Sequence, residues 1–213
     1  YNAHLARTAC RALERAGWTT TLSDLYEMQF DPCERASHYS FRLDPGRFDV
    51  QAEQRHASKK RAIPAPVAEE IGRLDKADLL ILQYPMWWHL PPAMLKGWLD
   101  RMLVYGEVYA SKRRFENGRF VGRRAMLSLT VGTSEETYAF NGRSGDIDLL
   151  LGPVNFSLAY VGYTVLKPFV AYGVEAGLRY SDDSVLEARL ARIGQQFEQV
   201  LTHLDEAPSI PFN

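Results

Sequence analysis

Residues 82–106 read LQYPMWWHLPPAMLKGWLDRMLVYG, and this stretch decides the fold. The residues just before it, ADLLILQY at 77–84, are almost continuously apolar. That is the pattern of a strand covered on both faces in a parallel sheet. Pro85 stops the strand, and Trp87, Trp88 and His89 follow where the chain leaves its carboxyl end. Pro92 stands where a first helical turn tolerates proline. Met94, Leu95, Trp98, Leu99, Met102 and Leu103 then recur at helical spacing, with Lys96, Asp100 and Arg101 on the opposite side. Ligands of open α/β sheets bind at the carboxyl ends of strands, so an aromatic turn at that point is a candidate wall for a flat ring.

The rest of the chain extends the alternation. Residues 2–16 predict a helix, with Asn2 as its cap, an apolar face of Leu5, Ala9, Ala12, Leu13 and Ala16, and Gly17 as its stop. Residues 18–22 read as a strand. Residues 27–64 carry Pro32, Pro45, Gly46 and Pro64 without a sustained period, and 48–61 is compatible with a short helix. So long a connection is usually functional. Residues 65–76 predict a helix, with Val67, Ile71 and Leu74 on one side.

Beyond the central stretch, 112–124 is a basic connection that turns at Asn117-Gly118. The run Lys112, Arg113, Arg114, Arg119, Arg123 and Arg124 invites a phosphate reading, but a solvated loop near a subunit contact is preferred. Residues 124–130 form the next strand, and Gly132 breaks it. A polar loop, 133–146, carries Tyr138, Gly142 and Gly145. Residues 147–160 predict a helix interrupted or offset near Gly152-Pro153. Residues 164–172 give a last strand marked by Pro168 as an edge or a break. Asp182, Asp183 and Ser184 open a final helix whose stripe is Val185, Leu186, Leu190, Ile193, Phe197, Val200, Leu201 and Leu204. Strands alternating with helices imply a doubly wound parallel sheet in one α/β domain spanning 1–213.

Composition narrows the function. With 213 residues, 46% hydrophobic and 24% charged, the chain fits one globular domain. A formal charge of −1 offers no global attraction to nucleic acid or an anionic membrane. No apolar run is long enough to span a bilayer. Cys10 and Cys33 have no metal-ligand or redox spacing, which makes a reducing cytoplasm the simplest home. They, with His4, His38, His56 and His203, read as structural or surface residues.

The turn and helix YPMWWHLPPAMLKGWLDRML resemble those of the flavodoxin-like NAD(P)H:quinone oxidoreductases. The resemblance continues, in order, through Tyr1-Asn2, the run SDLYEMQFDP at 23–32, and Thr130-Val131-Gly132 to Tyr138, Gly142 and Gly145-Asp146. It implies a flavodoxin-like three-layer sandwich, with a central strand and phosphate loop expected before Tyr1. It implies hydride transfer from NAD(P)H to flavin and then two-electron reduction of a quinone, in a homodimer. Azo- or nitro-compound reduction is the alternative chemistry, and a regulatory subunit of a potassium-efflux transporter is the alternative role.

The same resemblance places Tyr1 and Asn2 at the flavin phosphates. It puts Pro85, Met86, Trp87, Trp88 and His89 along one ring edge, and the backbone donors of Thr130, Val131, Gly132 and Thr133 at the other. Phe48 and Asp49 match a position that touches the adenosine half of FAD. The long 27–64 segment favours FAD over FMN. In the family a Tyr and, six residues on, a His donate to the reduced ring. Tyr138 matches the Tyr, but Ser144 stands where the His is expected. A hydroxyl can donate a hydrogen bond yet cannot hold a proton near neutral pH as imidazole does.

Overall fold

The computed structural model describes residues 1–175 and 181–212. Its elements run α1 (Asn2–Arg15), α2 (Val50–Lys60), α3 (Ala65–Leu74), β1 (Leu79–Pro85), α4 (Ala93–Met102), β2 (Arg124–Thr130), α5 (Ile147–Tyr160), β3 (Thr164–Val165), β4 (Phe169–Ala171) and α6 (Asp183–Thr202). The strands pair in parallel: β1 lies beside β2 from Leu79↔Arg124 to Pro85↔Thr130, and β3 and β4 lie on the other side of β2. Register advances by one residue between Ala125↔Val165 and Ser128↔Phe169. The expected last strand is therefore two short strands broken at 166–168, where Pro168 has no N–H for a ladder. The chain's end fills that gap, with Lys167 N–H donating to Pro208 O and Ile210 N–H to Val165 O.

Alternation along β2 divides the sandwich into layers. Ala125, Leu127 and Leu129 pack with α3, α4 and α5, while Met126 packs with Leu5 and Ala9 of α1 and Ile193 and Phe197 of α6. Each fully buried Leu or Met contributes roughly 1.5–3 kcal/mol over its exposed state. β2 is buried along all but its first residue, whereas β1 buries only Leu82 and Tyr84 fully. β1 is covered on both faces as expected, Leu80, Leu82 and Tyr84 packing with one cluster and Leu79 and Ile81 with the other, and its partial exposure comes from an edge with no ladder partner among the described residues. Residues 18–22, expected as a strand, form none. Trp18 N–H closes onto Leu13 O, and no described strand lies beside them to complete a ladder.

Other expectations change with packing. Asn2 is the first residue of α1 rather than its cap, and its side chain turns inward to the sheet. Arg101, expected on the solvent side of α4, is 2% exposed. The 27–64 segment folds over it: Arg101 donates to Asp31 O at 2.7 Å and lies over the Phe30 ring. Gly97 permits this approach, since a Cβ there would stand 2.3 Å from Pro32 O. Pro153 sits inside a continuous α5 rather than interrupting it. In α6 the buried stripe is Leu186, Ile193, Phe197 and Leu201, continued by Leu204, whereas Val185 is exposed. Asp182 precedes α6, but its side chain makes no capping hydrogen bond.

The basic run is solvated only in part: Lys112 and Arg114 are exposed, but the other four arginines are engaged. Arg119 grips Asp75 through two hydrogen bonds of 2.8 and 2.7 Å and also reaches Glu107. Arg123 donates to Leu74 O and Asp75 O, and Arg124 to Leu204 O and Asp205. Arg113 donates to Gly106 O and Glu107 O. These partners lie at the amino ends of β1 and β2.

Candidate functional site

At the opposite end of the sheet, β1 runs out at Pro85 and Met86 N–H donates to Thr130 O at 3.0 Å, tying the aromatic turn to the end of β2. Trp87 and Leu90 then exchange two backbone hydrogen bonds of 3.0 Å, closing a four-residue turn. Its central residues, Trp88 and His89, have φ of 50° and 64°. Two consecutive positive φ angles define a type I′ turn, which Asn and Gly ordinarily occupy. Aromatic residues held there are strained by about 1–2 kcal/mol each.

Trp88 is 92% exposed and Trp87 55%. Trp88 is therefore no core residue, since its ring has left the interior entirely. Strain without burial brings no folding benefit of its own. It fits a residue held for a ligand or for a second copy of the chain.

Beside this turn, β2 opens into the 131–146 loop. Val131 N–H is committed to Ala171 O, so it is not a free donor. The backbone N–H groups of Gly132, Thr133 and Ser134 take no partner among the described residues. Gly132 leaves space there, since a Cβ would come no nearer than 3.9 Å to Val174 O. The loop is braced from within: Thr133 O accepts from Gly173 N–H, and the Thr133 and Thr137 hydroxyls meet at 2.8 Å. Ser144 N–H donates to Thr137 O, and Gly142 is required because a Cβ would lie 2.3 Å from that same carbonyl. Asp146 caps α5 by accepting from the N–H groups of Asp148 and Leu149.

Tyr138 is half-buried, its ring 6.1 Å from that of Tyr172. Burial, with Glu135 and Asp148 nearby, pushes the Tyr172 phenol up to about 12, so it stays a neutral donor at physiological pH.

The third wall is the start of α1. Asn2 Nδ2 donates to Thr130 Oγ1 at 3.0 Å, and Asn2 Oδ1 accepts from Gln83 Nε2 at 2.8 Å. The helix N-terminus, with its unsatisfied N–H groups, thus stands beside the carboxyl ends of both strands. Tyr1 points elsewhere: its hydroxyl donates to Leu190 O of α6 and its ring stacks on His4.

The structure thus gathers Asn2, Pro85, Met86 and Thr130 through Thr133 by direct contacts or chain adjacency, with Trp87, Trp88, His89, Tyr138 and Ser144 on the attached loops. Phe48 and Asp49 belong to another neighbourhood. Phe48 packs on Tyr39 under Arg42, and Asp49 caps α2 through Ala52 N–H. None of their contacts reaches the aromatic turn. Sequence reasoning passed over Gln83 and Ser128, although a polar residue in an otherwise apolar strand was the signal for each.

Flat aromatic surface, clustered free N–H donors and a helix N-terminus are what a flavin requires of a protein. The residues present fit that group: Asn2 and α1 would face its phosphates, the 86–89 turn and the 132–134 amides its ring. Among the described residues no cluster suits a metal ion, and no helix is long and apolar enough to cross a membrane.

Comparison with known proteins places the chain among relatives of the same fold. The Cavia porcellus protein NAD(P)H dehydrogenase [quinone] 1 is 36% identical over 176 residues, covering 82% of this chain and 64% of its own length. The chain therefore spans just under two thirds of that relative. The Mus musculus ribosyldihydronicotinamide dehydrogenase [quinone] is 34% identical over 204 residues, 94% of this chain and 86% of its own. A structure from Klebsiella pneumoniae, described as a candidate quinone reductase, superposes with a TM-score of 0.89 at 31% identity, over 100% of this chain and 82% of that one. The profile of the flavodoxin-like fold matches residues 1–197. By its layered parallel sheet, its aromatic turn and these likenesses, the chain belongs to the flavodoxin-like NAD(P)H dehydrogenase (quinone) family.

Proposed function

We propose that this protein is a flavin-dependent NAD(P)H:quinone oxidoreductase. The observation that carries the reading is the strained, solvent-facing Trp87–Leu90 turn set against amides of Gly132 and Thr133 that take no partner among the described residues, at adjacent strand ends. The flavin, when bound, supplies the ability to accept a hydride and return two electrons. The protein's part is to hold and polarise. Trp88 offers a flat face, the 132–134 amides offer donors, and Tyr138 offers a hydroxyl wherever negative charge develops on the ring edge. Ser144 adds a second hydroxyl but no group that titrates near neutrality.

Several finer features belong to the same proposal. FAD is preferred to FMN because the 27–64 segment is folded firmly onto α3 and α4 and extends the protein beyond a minimal sandwich. A homodimer is supported by the edge-to-face series Phe212, Phe156, Phe115, Tyr160, Tyr109 and Tyr105 along one surface, where Phe156 is half exposed. Two free cysteines support a reducing, cytoplasmic setting. The mouse relative's name gives a reason to test dihydronicotinamide riboside beside NADH and NADPH as hydride donor.

The test is direct. Full-length protein is expected to purify yellow or to take up flavin on incubation, to release FAD on denaturation, and to reduce a quinone with a dihydronicotinamide. Protein that takes up neither FAD nor FMN refutes the reading.

A further inference from the structure

Four polar side chains lie on the α1 face of the sheet in an unbroken series. Ser128 Oγ approaches Gln83 Oε1 at 2.7 Å, Gln83 Nε2 approaches Asn2 Oδ1 at 2.8 Å, and Asn2 Nδ2 approaches Thr130 Oγ1 at 3.0 Å. A series of this kind can run in either sense, because both amides could turn over together. Position along β2 decides between the two, since Ser128 lies within the strand and Thr130 at its carboxyl edge.

Ser128 is 0% exposed, and Gln83 is its only side-chain partner among the described residues. If the series ran from Thr130 inward, the Ser128 hydroxyl proton would have no acceptor in the interior, which costs about 1–3 kcal/mol. Run outward, Ser128 donates to Gln83, Gln83 to Asn2 and Asn2 to Thr130. The only hydroxyl proton left over is then that of Thr130, at the carboxyl edge of β2. Thr130 is 5% exposed, and its Oγ1 has no other described partner.

We propose that Gln83 is a positioning residue, whose relay through Asn2 fixes the Thr130 hydroxyl as a hydrogen-bond donor to an acceptor oxygen of the ligand bound at the start of α1. The proposal rests on the flavin reading above, and the acceptor is an oxygen of the phosphate or of the polyol chain next to it. Thr130 receives a hydrogen bond from Asn2, and this polarises its own O–H as a donor. The same relay ties the first turn of α1 to the sheet, so donor and helix N-terminus keep one geometry.

Gln83→Glu tests the direction. The ionised carboxylate of that variant still accepts from Ser128 but cannot donate to Asn2, so the Asn2 amide turns over and accepts the Thr130 hydroxyl proton. The ligand-facing donor is lost. Once protonated, the introduced carboxyl can donate again, and its titration lies at or above about 4.3, raised by partial burial. Flavin affinity of the full-length apo-protein, read by fluorescence titration, is therefore expected to fall about tenfold for Gln83→Glu at a pH of about 8 and to recover toward wild type as pH is lowered through that titration. Gln83→Leu is expected to weaken binding without pH dependence, Thr130→Val to match Gln83→Glu at the higher pH, and Thr130→Ser to restore affinity. Denaturant melts of the apo-proteins monitor folding separately.

Gln83→Glu binding as wild type does across that pH range overturns the relay. A wild-type protein that binds no flavin overturns the functional reading instead. The relay is then judged on the ¹⁵N–¹H side-chain amide signals of Asn2. These move with pH in Gln83→Glu, and not in wild type, if the amide turns over; if they stay fixed in both, the relay fails.

Discussion

The two ends of the sheet are built on opposite terms. At the amino ends of β1 and β2, charge is matched: Asp75 is held by Arg119 through two hydrogen bonds and faced by Arg123, and Arg119 also reaches Glu107. The Arg119 guanidinium, with Arg123 beyond it, keeps the Asp75 carboxyl below the usual carboxylate range despite partial desolvation. At the carboxyl ends, backbone donors are left open among the described residues, two tryptophans face solvent and two residues of one turn hold positive φ. Folding stability alone gives no reason to combine exposed tryptophan rings, a turn with two successive positive φ angles and open donors, and that combination stands at the carboxyl ends. Its presence there marks where the chain is shaped for something other than itself.

The largest expected effect is on the reaction. Tyr138→Phe keeps the ring beside Tyr172 but removes the hydroxyl, so flavin is retained while its reduction by NAD(P)H slows about tenfold to a hundredfold. Stopped-flow absorbance measures this, and a wild-type rate would reduce Tyr138 to packing. Next comes Gly132→Val. The backbone has room for a Cβ at Gly132, so the apo-protein is expected to melt as wild type does. Flavin affinity should fall at least about tenfold, as bulk covers the open amides. Equal affinity would show that the ligand avoids this loop.

A third change attacks the contrast itself. Replacing Trp88 by Asn and His89 by Gly supplies the residues a type I′ turn prefers. The apo-protein is expected to gain about 1–2 kcal/mol in urea unfolding while losing flavin affinity. A loss of stability would mean the exposed ring is structural after all.

The smallest effect lies at the matched end. Asp75→Asn leaves flavin affinity unchanged and lowers stability at neutral pH by about 1 kcal/mol or less, because the pair is partly exposed. The folded-state carboxyl is depressed, so its stabilisation is complete above the unfolded value of about 3.9 and is lost as pH falls through the lower, folded one. The difference between wild type and Asp75→Asn is therefore expected to shrink as unfolding is measured below about pH 4. A constant difference would show that charge is not its source.

Much of this was legible in the residues alone. The apolar run before Pro85, the helical spacing after Pro92 and the strand RAMLSLT at 124–130 determined the parallel α/β layering, because burial on two faces leaves near-continuous apolar strands between amphipathic helices. The aromatic turn and the Gly132 break also marked where a flat ligand belongs. Tertiary structure alone decided which polar groups are spent and which are free. Arg101 and Arg119 read as surface cations until the 27–64 segment and Asp75 close on them. Asn2 reads as a cap until Gln83 and Thr130 lie within reach across the sheet. Trp88 reads as a candidate wall, but only the backbone shows that its ring is turned outward. Periodicity records which side of an element is apolar, which is a local property. A hydrogen bond between residues 2 and 130 depends on how helix and sheet are placed against each other, and no local pattern encodes that distance.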